Sequence, residues 1–421
     1  MTSTVPSIRL APASFGAVAM QRLEDLRAFT DVPGQIHRLY LSPSHRAAAD
    51  AVAAMMRQAG CDVVGIDALG TVTGRYEGDR PGLPALLIGS HIDTVKDAGA
   101  YDGTFGVVAA IAVIEELSRA GQRLPFAVEA LAFGDEENVR FPSNLSSSRA
   151  LAGRFDVATL DGQDEDGVSL RRALVDFGGD PDGIAGLARA RDSVLAYVEL
   201  HIEQGPVLEA RDLPVGVVTA INGASRRRLT VAGEAGHAGT VPMALRRDAL
   251  AAAAEMAVAV ERLGAAQADT VATVGRFVVE PGAVNVIPGR VLFTLDARSP
   301  DDGVRTRLVE AIEQECRAIA ARRRVELTVE PFYDAPASPC DPEIRAGLAA
   351  AVRGRQIPVL ELPSGAGHDA MAMAALCPTG MLFVRCKGGI SHNPAESMTQ
   401  ADAEAAIAVL VDFVRGFRPP A

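Results

Sequence analysis

Histidine and carboxylate residues recur in this chain where apolar segments end. His91 and Asp93 follow the apolar run Leu86-Leu87-Ile88 in GSHIDTV, and Asp102 follows in AYDG. An imidazole can bind a metal ion through one ring nitrogen while a neighbouring carboxylate orients the other, so we expect Asp93 to orient His91. A surface loop, with Asp102 as a helix N-cap, would also account for these residues. The interpretation therefore depends on the segments that follow.

Three later segments have the same character. Asp135-Glu136-Glu137 follows a predicted strand, His201 closes another strand in ELHIEQG, and His392 follows a third in GGISHNPAE. Adjacent carboxylates repel one another unless a cation neutralises them, although a solvated acidic turn would also explain the triplet. Five ligands exceed one tetrahedral site, so we predict two divalent ions that share a carboxylate, most simply Asp102. The candidate ligands are His91, Asp102, Glu137, His201 and His392.

This mixture of nitrogen and oxygen ligands suits Zn²⁺ or Mn²⁺, with Co²⁺ or Ni²⁺ as further possibilities. Motifs for other chemistry are missing or incomplete: the chain has no G-x-S-x-G, P-loop or H-E-x-x-H segment. The run GAGHDA from Gly365 to Ala370 fits the loose dinucleotide pattern, but the next predicted strand, 379–385, lacks the acidic residue that would hold a ribose. We therefore favour metal-dependent hydrolysis over serine hydrolysis and nucleotide binding.

The elements that must position these residues alternate between strands and buried helices, which indicates an α/β fold with a helix-covered, mixed and largely parallel sheet. The predicted strands of this part are 61–66, 70–76, 84–90, 125–133, 194–200, 357–361 and 379–385. The predicted helices are 17–30, 43–59, 105–120, 341–354, 368–375 and 399–416.

Between these parts the pattern changes to an α+β unit of about 120 residues. Its predicted strands are 214–221, 227–232, 270–279, 290–297 and 324–330, and its predicted helices are 242–263 and 302–322. We therefore divide the chain into a catalytic domain in two parts, 1–211 and 333–421, and an inserted domain, 212–332.

The composition excludes several classes of partner. The 421 residues are 48% hydrophobic and carry a formal net charge of −12, which argues against nucleic acid and anionic membrane as partners. No apolar stretch approaches the ~20 residues that span a bilayer, and the N-terminus lacks the features of a signal peptide. Five scattered cysteines in no metal-like spacing fit a reduced cytoplasm.

The inserted unit contributes three further polar candidates. His237 lies in GEAGHAGTVPM, Asn285 in PGAVNVIPG and Arg298 in DARSP. Each also has a purely structural explanation. His237 could stabilise its own turn, Asn285 could be a turn residue between Pro-Gly pairs, and Arg298 could be an ordinary surface arginine.

These segments together resemble the N-carbamoyl-L-amino-acid hydrolase and allantoate amidohydrolase family, one of the carboxypeptidase-G-like and aminoacylase-like di-metal amidohydrolases. The resemblance extends from about residue 20 to about residue 415. It rests on GSHIDTV, AYDG, DEEN-x-RF, ELHIEQGPVLE, GHAGTVPM, AVNVIPG, SGAGHDAM and ISHNPAE. One departure is Ser147-Ser148-Arg149, where the family pattern has Gly-Ser-Arg, and it puts the geometry of that turn in question.

The resemblance implies a catalytic α/β domain with a ferredoxin-like lid through which subunits form a homodimer. It implies the five ligands above and Glu136 as the general base. It further implies that His237, supplied by the partner subunit's lid, stabilises the oxyanion. The implied substrate contacts are Arg298 for a carboxylate, Asn285, Gln204, Gly365, Gly367 and His368.

The expected reaction is cleavage of the carbamoyl C–N bond of an N-carbamoyl-L-amino acid, releasing ammonia, CO₂ and the amino acid. Allantoate is the alternative substrate, because it also carries a ureido group beside a carboxylate-bearing carbon. A second alternative is an N-acyl amino acid hydrolase or peptidase that uses the same metals. A third is an inactive binding protein, against which the intact Glu136 and ligand set argue.

Overall fold

The computed structural model describes residues 14–419, which form two compact units. The first unit contains residues 14–218, 340–362 and 368–419. The second contains Thr219–Pro339 and Pro363–Gly367. The second unit is thus inserted in the first along the chain.

The helices and strands follow one another closely along the chain. The first segment contains α1 (Phe15–Arg27), α2 (Pro43–Gln58), β1 (Val63–Ile66), β2 (Val72–Tyr76), β3 (Ala85–His91), α3 (Thr104–Arg119), β4 (Ala127–Phe133), α4 (Ser146–Leu151), α5 (Leu170–Phe177), β5 (Val194–Ile202), α6 (Val207–Ala210) and β6 (Val215–Ile221). The inserted segment contains β7 (Gly223–Ala232), β8 (Gly236–His237), α7 (Ala249–Ala265), β9 (Val271–Glu280), β10 (Val286–Ile287), β11 (Arg290–Ser299), α8 (Asp302–Arg323), β12 (Glu326–Ala335) and β13 (Ser338–Pro339). The last segment contains α9 (Pro342–Gly354), β14 (Glu361–Ser364), α10 (Asp369–Met373), β15 (Thr379–Val384) and α11 (Gln400–Gly416).

The sheet of the first unit confirms the predicted fold class. Its strand order is β1-β2-β4-β3-β5-β15-β6, and β14 also pairs with β6. The four central strands, β4, β3, β5 and β15, are parallel, whereas β2 and β6 join them antiparallel. The sheet is therefore mixed, with a parallel centre.

The centre of this sheet is buried on both faces. Every residue of β3 and of β4 is buried, which explains why these strands read as continuous apolar runs rather than alternating ones. Helix α3 is buried along most of its length and packs on β3 and β4. Because the strand and helix are rigidly packed, the loop that carries Asp102 between them has fixed ends.

The inserted unit contains an antiparallel sheet of order β12-β7-β11-β9, with α7 and α8 in a common core with it. Taken in chain order, these elements run β-α-β-β-α-β, and the strands lie in the order 4-1-3-2, which is the ferredoxin-like arrangement. The sequence predicts a helix over 242–263, but α7 begins at Ala249. The Asp248 side chain accepts hydrogen bonds from Leu250 N and Ala251 N and so caps the helix, whereas Pro242 only precedes a short turn.

None of the helices in residues 14–419 combines the length and the apolar character that crossing a membrane requires.

Candidate metal centre

The predicted ligands lie at one edge of the first unit's sheet. His91 ends β3 and His201 lies in the last residues of β5, while the Glu136-Glu137 pair follows β4 and His392 follows β15. These four strands are parallel neighbours, so their carboxyl ends meet at the same edge of the sheet. In α/β sheets this edge is where ligands bind.

Glu199, His201 and His368 have potential ligand atoms close together, and two further groups consist entirely of predicted ligands. His91, Asp102 and His201 make up one group, and Asp102, Glu137 and His392 make up the other, with the ligand atoms of each group within 4.8 Å of one another. Oδ1 of Asp102 lies 3.0 Å from Nε2 of His201, while Oδ2 lies 3.2 Å from Nε2 of His392. Nε2 of His392 is also 3.3 Å from Oε2 of Glu137. Each oxygen of Asp102 therefore serves a different group.

In His91 and in His201, the Nδ1 atom faces a main-chain carbonyl oxygen, so Nε2 is the ring nitrogen available for a metal ion. Nδ1 of His91 lies 3.0 Å from the carbonyl oxygen of Asp93, and Nδ1 of His201 lies 2.9 Å from that of Ile202. A carbonyl oxygen can only accept, so each Nδ1 carries the hydrogen. Nε2 of each ring therefore faces Asp102, and in the neutral ring it is the nitrogen that can bind a metal ion.

Asp93 contacts both His91 and the acidic triplet. Its carboxylate lies 3.7 Å from Nδ1 of His91, and the closer contact to this nitrogen comes from its main-chain carbonyl. The same carboxylate accepts hydrogen bonds from Glu136 N at 3.4 Å and Glu137 N at 3.3 Å. The buried Asp93 thus holds the main chain of the residue pair that follows β4.

The electrostatics of the centre fit a cation. Burial raises the pKa of Glu136 and of Glu137 well above its usual range, and the charges of Glu137 and Asp102, respectively, add to this effect. Burial would also raise the pKa of Asp102, but hydrogen bonds with His201 and His392 and the charges of His201 and His91 hold it well below its usual range. Oε1 of Glu137 is buried and has no hydrogen-bond partner in the described chain. Divalent ions would neutralise these crowded carboxylates and occupy the orphaned oxygen.

The pKa values of His201 and His368 are shifted in opposite directions although both side chains are buried. Burial lowers the pKa of His201, but its hydrogen bond with Asp102 and the negative charges of Asp102 and Glu199 together outweigh this and raise the pKa to about 9. The ring of His368 lies 4.4 Å from that of His201, and burial, followed by the charge of His201, lowers the pKa of His368 well below its usual range. His368 therefore favours the neutral form next to the candidate ligand His201.

The turn that departs from the family pattern is accommodated by a hydrogen bond. Ser147 stands where glycine is expected, and its buried Oγ accepts from Gly134 N at 3.2 Å. Gly134 immediately precedes the acidic triplet. The additional hydroxyl group therefore supports the chain that leads to Glu136.

Residues that sequence reasoning did not select also contact Asp102. Oγ of Ser391 lies 2.7 Å from Oδ2 of Asp102, and Glu396 accepts hydrogen bonds from Tyr101 N and Asp102 N. Nε2 of Gln204, a predicted substrate contact, donates to the same Oδ2 at 2.8 Å. The signal for Ser391 and Glu396 was present in ISHNPAE, one residue before and four residues after His392.

The loops of the centre contain unusual backbone conformations. Asp135, Gln204 and His392 have φ angles of 66°, 56° and 54°, in the left-handed region that side chains other than glycine disfavour. Such conformations persist only where the surroundings impose them, and they concentrate at functional sites. Their occurrence after three different strands of one sheet edge supports a site there.

The remaining predicted residues lie in the inserted unit. His237 on β8 pairs with Val286 on β10, next to Asn285, whose carbonyl accepts from Ala238 N at 2.9 Å. Nδ1 of His237 accepts from Gly239 N at 3.0 Å, so in the neutral ring the hydrogen is on Nε2. His237 is exposed and therefore presents Nε2–H as a donor.

Arg298 is held by two neighbours within the same unit. Nε and Nη2 contact the two carboxylate oxygens of Asp296 at 2.9 and 3.0 Å, and Nη1 donates to the carbonyl oxygen of Gly365 at 2.7 Å. The hydrogen bond with Asp296, followed by burial acting in the opposite direction, leaves the pKa of Arg298 raised. Of the five guanidinium N–H groups, two remain for other acceptors.

Three comparisons agree with the motifs. Residues 87–416 match the model of "Peptidase family M20/M25/M40". An N-carbamoyl-L-amino acid amidohydrolase of Geobacillus stearothermophilus is 41% identical, over 94% of this chain and 96% of its own length. A probable allantoate deiminase of Oryza sativa subsp. japonica is also 41% identical, over 93% and 87%.

Among solved structures, an amidase of the hydantoinase/carbamoylase family from Burkholderia multivorans superimposes with a TM-score of 0.90 at 34% identity, covering 99% of this chain and 100% of that one. These findings confirm the resemblance that the motifs predicted. Since the family model and both relatives cover most of its length, the chain belongs to Peptidase family M20/M25/M40.

Proposed function

We propose that this protein is a metal-dependent amidohydrolase that cleaves the carbamoyl C–N bond of an N-carbamoyl-L-amino acid. The observation that carries the proposal is the pair of ligand groups joined by Asp102 in a chain 41% identical to an N-carbamoyl-L-amino acid amidohydrolase. The products are ammonia, CO₂ and the amino acid. Allantoate is the second candidate substrate, because the identity to a probable allantoate deiminase is also 41%.

Two divalent ions, Zn²⁺ or Mn²⁺ with Co²⁺ or Ni²⁺ as further possibilities, would be held by the two groups. His91 and His201 would serve one ion, Glu137 and His392 the other, and Asp102 both. Bound ions of this kind polarise a carbonyl group and increase the acidity of water. Two observations support this assignment: the Nδ1 atoms of His91 and His201 face carbonyl oxygens, which leaves Nε2 as the ligating nitrogen, and Oε1 of Glu137 is buried without a hydrogen-bond partner in the described chain.

Glu136 would take the proton of the attacking water and return it to the leaving nitrogen. Its side chain is 12% exposed and its Oε2 lies 4.0 Å from Nε2 of His91, so it borders the ligand groups without belonging to either. Asp93 fixes its main chain. A general base needs this combination of fixed position and access to the reacting atoms.

The substrate carboxylate would bind to Arg298, with Asn285, Gln204 and the main chain at Gly365 and Gly367 assisting. The two N–H groups of Arg298 that Asp296 and Gly365 leave free can form a planar fork for a carboxylate. His368, whose ring lies 4.4 Å from that of His201, would be a further substrate contact.

We expect Arg298→Lys to lower kcat/KM on a carboxylate-bearing ureido substrate by roughly tenfold to a hundredfold, because a point charge replaces two directed hydrogen bonds. Arg290→Lys on the same strand is the matched control, since the side chain of Arg290 forms an ion pair with the exposed Glu280 at 3.0 Å. Steady-state kinetics of both variants check the expectation. Equal kcat/KM for wild type and Arg298→Lys would exclude Arg298 from the pocket.

The metal content should depend on Asp102 more than on any other ligand. Wild type should approach about two ions per chain and His392→Ala about one, whereas Asp102→Ala should lose both, because Asp102 belongs to both groups. Elemental analysis after dialysis measures this. Retention of both ions by Asp102→Ala would contradict a shared carboxylate.

A homodimer formed through the inserted unit completes the proposal. Strands β9 and β12 are the edges of its sheet, and they carry exposed apolar side chains such as Val271, Phe277 and Phe332. Edge strands with exposed apolar residues favour pairing with a second copy. A cytoplasmic location is supported by five free cysteines.

An ammonia-release screen tests the function. Its substrates are N-carbamoyl-α-amino acids, N-carbamoyl-β-alanine and allantoate, each with Mn²⁺ or Zn²⁺, and N-acetyl amino acids and dipeptides assayed for free amino acid. We expect ammonia from an N-carbamoyl-L-amino acid. Ammonia from allantoate alone would select the second candidate, and turnover of only the acyl or peptide substrates would overturn the proposal.

A further inference from the structure

Glu396 joins two loops that carry proposed ligands. Its side chain is buried, with 5% of the residue exposed. Oε1 accepts hydrogen bonds from Tyr101 N at 2.8 Å and Asp102 N at 3.1 Å, in the loop that leads to α3. Oε2 lies 3.1 Å from Oγ of Ser391, in the loop after β15. One carboxylate thus connects segments 294 residues apart in the chain.

Asp102 is held at its side chain as well as its main chain. Ser391, the residue before His392, has its Oγ 2.7 Å from Oδ2 of Asp102. Its single hydroxyl hydrogen serves Asp102 or Glu396 at a given moment, while its oxygen also accepts from Nε2 of Gln204. The closed path from Glu396 through Ser391 to Asp102 therefore restrains the carboxylate that both ligand groups share.

Gly99 provides independent support for this contact. A Cβ atom on Gly99 would lie 2.3 Å from Cδ and from Oε1 of Glu396, a separation that real Cβ atoms do not reach. The φ angle of Gly99 is not in the left-handed region, so glycine is needed here for space rather than for backbone conformation. The main chain of this loop is thus packed directly on the carboxylate.

We infer that Glu396 is a positioning residue that sets Asp102, and through it both ligand groups, in the geometry that binds two ions. The inference rests on the proposed metal site. Glu396 is not itself a ligand, because its oxygens are directed to main-chain N–H groups and to Ser391. Loss of such a support weakens metal affinity even though the ligands remain.

The test compares Glu396→Gln with Glu396→Ala. In Glu396→Gln the amide oxygen can accept from both N–H groups and the amide nitrogen can donate to Ser391, so metal affinity should stay within a few-fold of wild type. Glu396→Ala should bind both ions about 10- to 100-fold more weakly. Titration of metal-free protein against a chromophoric chelator measures this without substrate, and circular dichroism reports the fold.

Asp67→Ala is the matched control for Glu396→Ala. Asp67 also accepts two main-chain hydrogen bonds, from Leu69 N and Thr71 N at 2.9 Å each, but in the loop between β1 and β2 and away from the ligands. It should lower the melting temperature and leave metal affinity unchanged. Metal affinity equal to wild type in Glu396→Ala, or a loss in Glu396→Gln as large as in Glu396→Ala, would overturn the inference.

Gly99→Ala provides a second route if Glu396→Ala does not fold. The added methyl group must displace the Glu396 carboxylate, so it should weaken binding of both ions, and unchanged affinity would overturn the inference. Wild-type protein that binds no divalent ion would instead overturn the proposed metal site. Failure of the inference alone is recognised by normal wild-type affinity together with unaffected Glu396→Ala or Gly99→Ala.

Discussion

Glu136→Gln should reduce kcat by about 10²–10⁴ while both ions stay bound, because the amide cannot accept the proton of the attacking water. The side chain keeps its size and its main chain keeps the hydrogen bond to Asp93. Glu136 belongs to neither ligand group, so its replacement leaves their atoms in place. Steady-state kinetics on the best substrate of the ammonia screen, with elemental analysis of the same sample, measure both quantities.

Glu137→Gln is the natural comparison, because the two residues are adjacent and differ in proposed role. Oε2 of Glu137 contacts His392 at 3.3 Å and its Oε1 is orphaned, so this variant should lose activity together with metal. Excess Mn²⁺ or Zn²⁺ should restore part of the activity of Glu137→Gln and none of that of Glu136→Gln. Equal metal loss in the two variants would contradict the division of roles.

His237→Ala should lower kcat by about 10²–10³, the usual cost of removing one donor to an oxyanion. The structural reason is the Gly239 N–H, which occupies Nδ1 and leaves Nε2–H as the donor. His37→Ala is the control, since we assign no role to this histidine. Wild-type kcat in His237→Ala would remove the residue from the mechanism.

Complementation decides whether His237 acts on its own chain or on that of the partner. If the imidazole acts across subunits, a heterodimer of His237→Ala and Glu136→Gln has one site with both defects and one site with neither. Mixing the two variants under conditions that exchange subunits should then restore each heterodimer to about half of wild-type activity. Verified exchange without recovered activity would show that His237 serves its own chain.

The accuracy with which an element was predicted depended on whether its own sequence marks its two ends. Strand β3 and helix α3 lie within two residues of the predicted 84–90 and 105–120, because continuous apolar runs that end at Gly or polar residues leave few alternatives. The start of α7 was misplaced by seven residues, because the segment after Pro242 lacks apolar periodicity and the capping strength of Asp248 went unrecognised. Strand β14, predicted at 357–361, lies at Glu361–Ser364, since a short strand takes its position from pairing with β6.

The sequence by itself determined the family and the α/β fold with a ferredoxin-like insertion, and it supplied the candidate ligands of the proposed metal centre. It could do so because the motifs combine apolar runs with ligand-type side chains at fixed local spacing. It also indicated a shared carboxylate by counting ligands, since five exceed one tetrahedral site.

Only the tertiary structure decided how Asp102 lies between the two groups of candidate ligands and how it is held there. The two carboxylate oxygens of Asp102 face different histidines. Carbonyl oxygens accept hydrogen bonds from Nδ1 of His91 and of His201. Glu396 accepts a hydrogen bond from the main-chain N–H of Asp102. These features depend on distances of about 3 Å between residues that are far apart in sequence, 294 positions for Asp102 and Glu396. Local patterns contain no information about such distances, which arise only when the parallel strands bring their carboxyl ends to one edge of the sheet.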